Sequence, residues 1–304
     1  RANAPRREAK EVLQRRVSPI PGVVPGAPFE AVVRVSTVPK QPMNDSTRQT
    51  AGSRLLEVLL IFLVFFAAAG EPPPEVNESH YLPKAKHYWN PEFCPGDYFL
   101  DSADAHAVFY WSVGWLTRFA PLPAVAWIGR IAAWLWLAWS WQRLATAVGT
   151  PKYTSVVAAM LLVAAIEHYN FAGEWVVGGV EAKCFAYGFV FLGLSYLAVD
   201  RYLPVGVAFG AAAAFHVLFG GWSVVAAAIV WVAKPSLWRR TWRPAVAGLL
   251  LGGLLSLPGL LPALALNSEA TPETESKVSQ IYVFERLPHH LAPHDHRQRA
   301  LRRQ

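Results

Sequence analysis

From residue 55 to residue 266 the chain alternates apolar runs with short polar breaks, and this alternation limits what it can fold into more than any other feature. The runs cover 55–69, 121–142, 153–169, 185–199, 203–219, 221–233 and 244–266, and the only formal charges inside them are Glu57, Arg130 and Glu167. A helix needs roughly 20 apolar residues to cross a bilayer, so the shorter runs reach that length only with help from their flanks. A chain of 304 residues that is 53% hydrophobic and 16% charged, with 13 tryptophans, is too apolar for an ordinary soluble domain. The expected fold is an all-α, polytopic transmembrane helical bundle of about seven spans with an outward-facing first loop.

Two segments bear on the topology. Residues 203–233 read either as one long tilted helix or as two half-length helices; a glycine pair at Gly220-Gly221 favours a break there. Residues 105–120 carry Val108, Phe109, Trp111, Trp115, Leu116 and Phe119 at helical spacing between polar ends, the pattern of an amphipathic helix lying in the interface. With seven spans, Arg143, Lys152, Arg201, Lys234, Arg239, Arg240 and Arg243 share one side with the basic N-terminus, which makes that side cytoplasmic. The expected location is therefore that of a multi-pass membrane protein with a cytoplasmic N-terminus.

Three regions follow: a disordered basic extension over 1–53, with translation expected to start at Met43; a transmembrane domain over 54–267 with its outer loop at 71–120; and a polar outward tail over 268–304, expected to be cut short near Leu291. The net charge of +7 comes largely from the two ends, and no nucleic-acid motif accompanies it, so the expected partner is membrane lipid and not nucleic acid. Cys94 and Cys184 both fall outward and are read either as a bridge or as two free thiols.

The outer loop concentrates chemistry. It carries Glu75, Glu78, Asp97, Asp101 and Asp104 beside a bilayer, where like charge and desolvation raise carboxyl pKa values and suit a general base. Asp97, Asp101 and Asp104 would share one face if helical, and with His106 they leave a divalent cation open as the one cofactor; solvation and helix capping explain the same acids without chemistry. Glu174 and Glu181 would likewise share a face, with Lys183 able to meet a phosphate or simply to anchor its helix. His216 in an alanine-rich run needs a cavity or a partner, and Arg130 needs either a donor phosphate or a structural partner such as Glu57 or Glu167. Four histidines and an aspartate over 289–296 match no metal-ligand spacing, so no metal site is expected there.

The string Asn77-Glu78-Ser79-His80-Tyr81-Leu82 just after the first span resembles the D-E-x-x-Y/F signature of the GT-C membrane glycosyltransferases. Taken with Gly96 to Leu100, Val180 to Lys183, His216, Gly220-Gly221-Trp222 and Arg286 to His290, the chain also resembles a planctomycete-type family of multi-spanning bacterial membrane proteins. The resemblance implies a bacterial inner (cytoplasmic) membrane, a GT-C-like fold and an inverting transfer of sugar from a polyprenyl-phosphate donor, with the catalytic carboxylate in the first outer loop. Carried onto these positions, it implies Glu78, Asp101 or Asp97 as base, and His80, Tyr81, Lys183, His216, His289 and His290 as substrate contacts. The chain departs from the signature at Asn77, where the family has an acid and an amide cannot serve as a base. A transporter with charged residues lining a central path, or a non-catalytic lipid-binding protein, are the competing readings.

Overall fold

The computed structural model describes residues 50–75, 77–169, 176–268 and 271–286. The expected extension before residue 50 and the tail with His289 and His290 lie outside the described residues, as does Glu174. Everything described is helix, turn or irregular backbone, without a strand. The helices are α1 (Ala51–Ala69), α2 (Glu78–Trp89), α3 (Ala107–Ser112), α4 (Leu122–Ala147), α5 (Thr154–Tyr169), α6 (Ala182–Ala198), α7 (Tyr202–Phe215), α8 (Val217–Val232), α9 (Pro235–Ser268) and α10 (Pro272–Gln280). By length and composition α1, α4 and α9 suffice to cross a membrane, while α5 to α8 are shorter apolar helices.

The exterior of these helices is what a bilayer would solvate. Along α1 only Glu57, Ile61 and Phe65 are buried, one stripe at helical spacing, while Leu55, Leu59, Leu63 and Phe66 are exposed. On α9 exposed leucines run from Leu249 to Leu264. An apolar face of this extent needs a partner or lipid.

Contacts give the helix directions. Phe66 meets Trp127 while Glu57 reaches Tyr153 beyond the end of α4, so α1 and α4 are antiparallel. Trp136 on α4 donates to the Phe185 carbonyl and Trp141 packs on Phe191, so α4 and α6 run in parallel. Phe185 stacks on Phe215, and Gly193 lies against Phe209, which sets α6 against α7. A Cβ on Gly220 would lie 2.2 Å from the Ala213 backbone nitrogen, which folds α7 and α8 into a tight hairpin. Gly206 and Gly210 meet Gly248 and Gly252 backbone to backbone, making α9 parallel to α7.

The turn of that hairpin is His216, with φ −149° and ψ 104°, so residues 203–233 form two half-length helices as expected, but the break is not at Gly220-Gly221. Gly220 is buried inside α8 because a side chain there would collide with α7. Between α1 and α4, α2 stands outside the apolar helices; the 105–120 segment is α3 followed by a tight 3₁₀ turn, Gly114–Arg118, too short to cross anything. Trp111, Trp115 and Phe119 on it are exposed. Cys94 is exposed and Cys184 buried, and they form no bridge.

Two apolar clusters fill the interior. The outer one joins Leu82, Phe109, Tyr110 and Val113 to Val125, Ala126 and Val180. The inner one joins Ile61 and Phe65 to Trp134, Leu137, Val156 and Ala159. Arg130 lies on α4 one turn from each, at Ala126 and at Trp134, and the polar site is built at that seam.

Candidate functional site

A guanidinium with no exposed surface is tolerable only if its donors are met, and those of Arg130 are. Its Nε donates to Glu78 Oε1 at 2.6 Å, Nη2 to Glu78 Oε2 at 2.6 Å, and Nη1 to the Glu71 carbonyl at 2.5 Å. This is the paired-donor geometry in which a guanidinium holds a carboxylate most firmly. Glu78 begins α2, and its carboxylate also accepts the backbone N–H of Glu75 at 2.9 Å and of Val180 at 2.8 Å. Burial alone would raise its pKa, but the Arg130 and backbone hydrogen bonds outweigh that and hold the carboxyl below the usual range. The Arg130 partner is thus Glu78 and not Glu57; the side chain of Glu167 lies outside what the structure describes. Glu57 instead caps the next helix, accepting the Tyr153 N–H at 3.0 Å and the Ser155 hydroxyl at 2.8 Å at the start of α5.

Glu75 sits beside this pair and behaves in the opposite way. Desolvation pushes its pKa up; the Arg130 charge opposes that, while the Glu78 and Glu71 carboxylates add to it. Gly179 gives it room, since a Cβ there would fall 2.9 Å from Glu75 Oε2. Two neighbouring carboxyls with pKa values pushed apart are the arrangement that separates a fixed anion from a titrating one.

On the other side of Glu78, Asn77 donates its side-chain amide to Glu181 Oε2 at 2.8 Å. Glu181 is buried and lies 3.2 Å from the Lys183 ammonium, also buried. Glu181 has extended backbone and precedes α6, so it is not itself on a helical face. The amide at Asn77 has a physical reason: an ionised acid in its place would face the Glu181 carboxylate.

Lys183 lies within electrostatic reach of His216, whose ring centroid is 5.6 Å from that of His106. His106 in turn shares a 3.1 Å hydrogen bond with the Tyr81 hydroxyl. Burial lowers the His106 pKa against a smaller upward pull from the Phe215 backbone. The Nδ1 atom of His216 is buried and finds no hydrogen-bond partner among the described residues.

Of the residues expected to act together, Glu78, Tyr81, Lys183 and His216 converge, joined by Asn77, while three others do not. Asp97 accepts the N–H groups of Phe99 and Leu100 at 3.0 Å each, closing its own turn. Asp101 pairs with His87 at 3.0 Å, nine residues along α2 from Glu78, or about 13.5 Å at 1.5 Å per residue. His80 is exposed, edge-on to Phe99. The expected helical face of Asp97, Asp101 and Asp104 does not form, because Lys84 gathers the carbonyls of Phe99 (2.9 Å), Leu100 (3.2 Å) and Ser102 (2.7 Å) and holds this stretch in turns. Among the described residues no cluster of acids, histidines and cysteines is arranged to hold a metal ion.

Glu75, which the sequence distinguishes from the other loop acids by nothing but position, and His106, which the sequence groups only with Asp97, Asp101 and Asp104, both belong to this cluster. Family models, curated proteins and solved structures were all compared with the chain, and none of them matches it.

Proposed function

We propose that all seven apolar helices, α1 and α4 to α9, cross a membrane, and that the protein is a GT-C-like enzyme of the inner membrane acting on a polyprenyl-phosphate-linked sugar at its outer face. One observation carries this: the Asn77 to Tyr81 segment of the first loop meets Lys183 and His216 around a buried, charge-separated cluster at one end of the apolar bundle. Alternating helix directions and the clustering of Arg143, Lys152, Arg201, Lys234 and Arg239 at the opposite end support an outward loop and a cytoplasmic N-terminal side.

Within this reading Glu75 is the base. Glu78 is engaged by Arg130 and two backbone N–H groups and has its pKa held down, so it is a poor proton acceptor; Glu75 has its pKa raised. The Glu75 carboxylate would take the proton of an acceptor hydroxyl, whose oxygen forms a bond to the anomeric carbon. The bond from that carbon to the phosphate oxygen breaks with inversion, and polyprenyl phosphate leaves. Lys183 supplies positive charge for the leaving phosphate, and His106 and His216 line its approach. Sugar transfer in reconstituted vesicles tests the reading: Glu75→Gln should abolish it with insertion intact, and transfer unchanged in that variant sinks the assignment.

A second reading rests on the helix break itself. A histidine at the turn between two half-length apolar helices is where transporters place ion or proton sites. Ion flux in vesicles that disappears with His216→Ala would favour it over the enzyme.

A further inference from the structure

The end of the bundle away from His216 carries a concentration of positive charge with which no carboxylate pairs among the described residues, Asp200 at that end lying instead against Tyr202. Lys234, Arg239, Arg240 and Arg243 fall within ten residues where α8 turns into α9, and the sequence contains no Asp or Glu between Asp200 and Glu269. All four are exposed, and among the described residues none makes an ion pair. The first turn of α9 has no acid, the reverse of what the helix dipole favours, so the cations stand there at some cost to the helix.

Their surroundings orient them. Arg239 lies over the Trp238 ring at 5.8 Å and Arg243 over Trp242 at 5.5 Å, both tryptophans being partly exposed. Tryptophan is the residue that sits at the headgroup level of a membrane. Trp231 at the end of α8 donates to Thr241 at 2.9 Å, which fixes the corner.

An apolar groove opens next to this corner, between α8 and the paired helices α7 and α9. Its first part, about 130 Å³, is lined by Tyr202, Val205, Phe209, Trp231, Val246 and Leu249. A second part, about 240 Å³, shares Gly206, Phe209, Val224 and Leu249 with it and continues toward Val217. Val246 is one turn beyond Arg243, and Tyr202 follows Arg201, so the groove begins directly under the cations.

We propose that this corner is a binding site for an anionic glycerophospholipid, its phosphate held by Arg239, Arg240 and Arg243 and one acyl chain lying in the groove. Charge complementarity identifies the occupant: a zwitterionic headgroup brings its own cation to a surface that has four, whereas an anionic one neutralises them. The site rests on the helices being membrane-inserted and is independent of any chemistry at Glu75.

The test uses the full chain in mild detergent, titrated with phosphatidylglycerol or phosphatidylcholine, with retained lipid counted by native mass spectrometry. Wild type should retain phosphatidylglycerol roughly tenfold or more tightly than phosphatidylcholine, as three or four cations near an anionic headgroup imply. The preference should weaken as salt is raised. R239Q/R240Q/R243Q, all at exposed positions, should lose the preference, and Ala227→Phe, at an α8 residue that lines the first part of the groove, should lower retention of both lipids. Equal retention by wild type, a preference that survives the triple variant, or equal stabilisation by glycerol 3-phosphate alone would overturn the proposal. Insertion is read separately from incorporation into phosphatidylcholine nanodiscs, which the proposal does not affect.

Discussion

The Arg130–Glu78 pair shows how a buried ion pair is held, and what happens when one half is removed. Glu78→Gln leaves Arg130 buried without its paired carboxylate, a change that costs about 3–5 kcal/mol in comparable pairs. Thermal unfolding in detergent should therefore start much lower in this variant, and Glu78→Gln combined with Arg130→Met should be more stable than Glu78→Gln alone. A double variant no better than the single would mean that the pair is not the element at stake. The two loop carboxyls also predict opposite pH behaviour. Glu78, its pKa held below the usual value near 4.5, adds stability that is present above that value and lost as pH falls through its lower folded one. Glu75, its pKa raised, destabilises the fold when ionised, and this penalty disappears as pH falls through the raised value. Glu75→Gln should thus unfold at a higher temperature than wild type near neutral pH, with the difference shrinking on mild acidification. A difference that is constant with pH would contradict the assignment.

At the scale of elements, the apolar runs located α1 and α4 to within five residues, because hydropathy is a local property, but missed the first nine residues of α9, where Arg239, Arg240 and Arg243 interrupt the apolar pattern inside the helix. What they hid were relations between elements. Arg130 and Glu78 are 52 residues apart, and no periodicity links a span to a loop. The acids at 97, 101 and 104 fit helical spacing, but Lys84 on α2 captures their backbone. Glycine was legible in another sense than a breaker: Gly206-x-x-x-Gly210 and Gly248-x-x-x-Gly252 are the small-residue spacing that lets apolar helices touch. A Cβ at Gly210 would lie 2.2 Å from the Gly252 carbonyl oxygen, and one at Gly252 would lie 2.1 Å from that of Gly206. Gly210→Ala should accordingly lower the unfolding midpoint, by overpacking of about 1–3 kcal/mol. Gly253→Ala, with nothing within 4 Å of the added methyl, is the control and should be neutral or slightly stabilising. Equal effects at the two positions would count against close α7–α9 packing.

For the whole molecule, sidedness is the claim on which the proposed outward-facing site depends. Each apolar helix reverses the direction of the one before it, so Cys94 in the first loop and Ser236 at the α8–α9 turn belong to opposite ends of the bundle. Length supports crossing: at 1.5 Å per residue α8, with 16 residues, spans about 24 Å, most of a hydrocarbon core of about 30 Å. Cys94 is exposed, and Cys184, close to the polar site, is buried. A membrane-impermeant maleimide applied to intact cells stripped of any outer membrane should label wild type at Cys94 and leave Cys184 unmodified. In a Cys94→Ser background, Ser236→Cys should react only after the membrane is permeabilised. Reaction of Ser236→Cys in intact cells would place the basic corner outside, invert the positive-charge argument and remove the outward-facing site with it; protection of both positions would mean that the first loop does not face out.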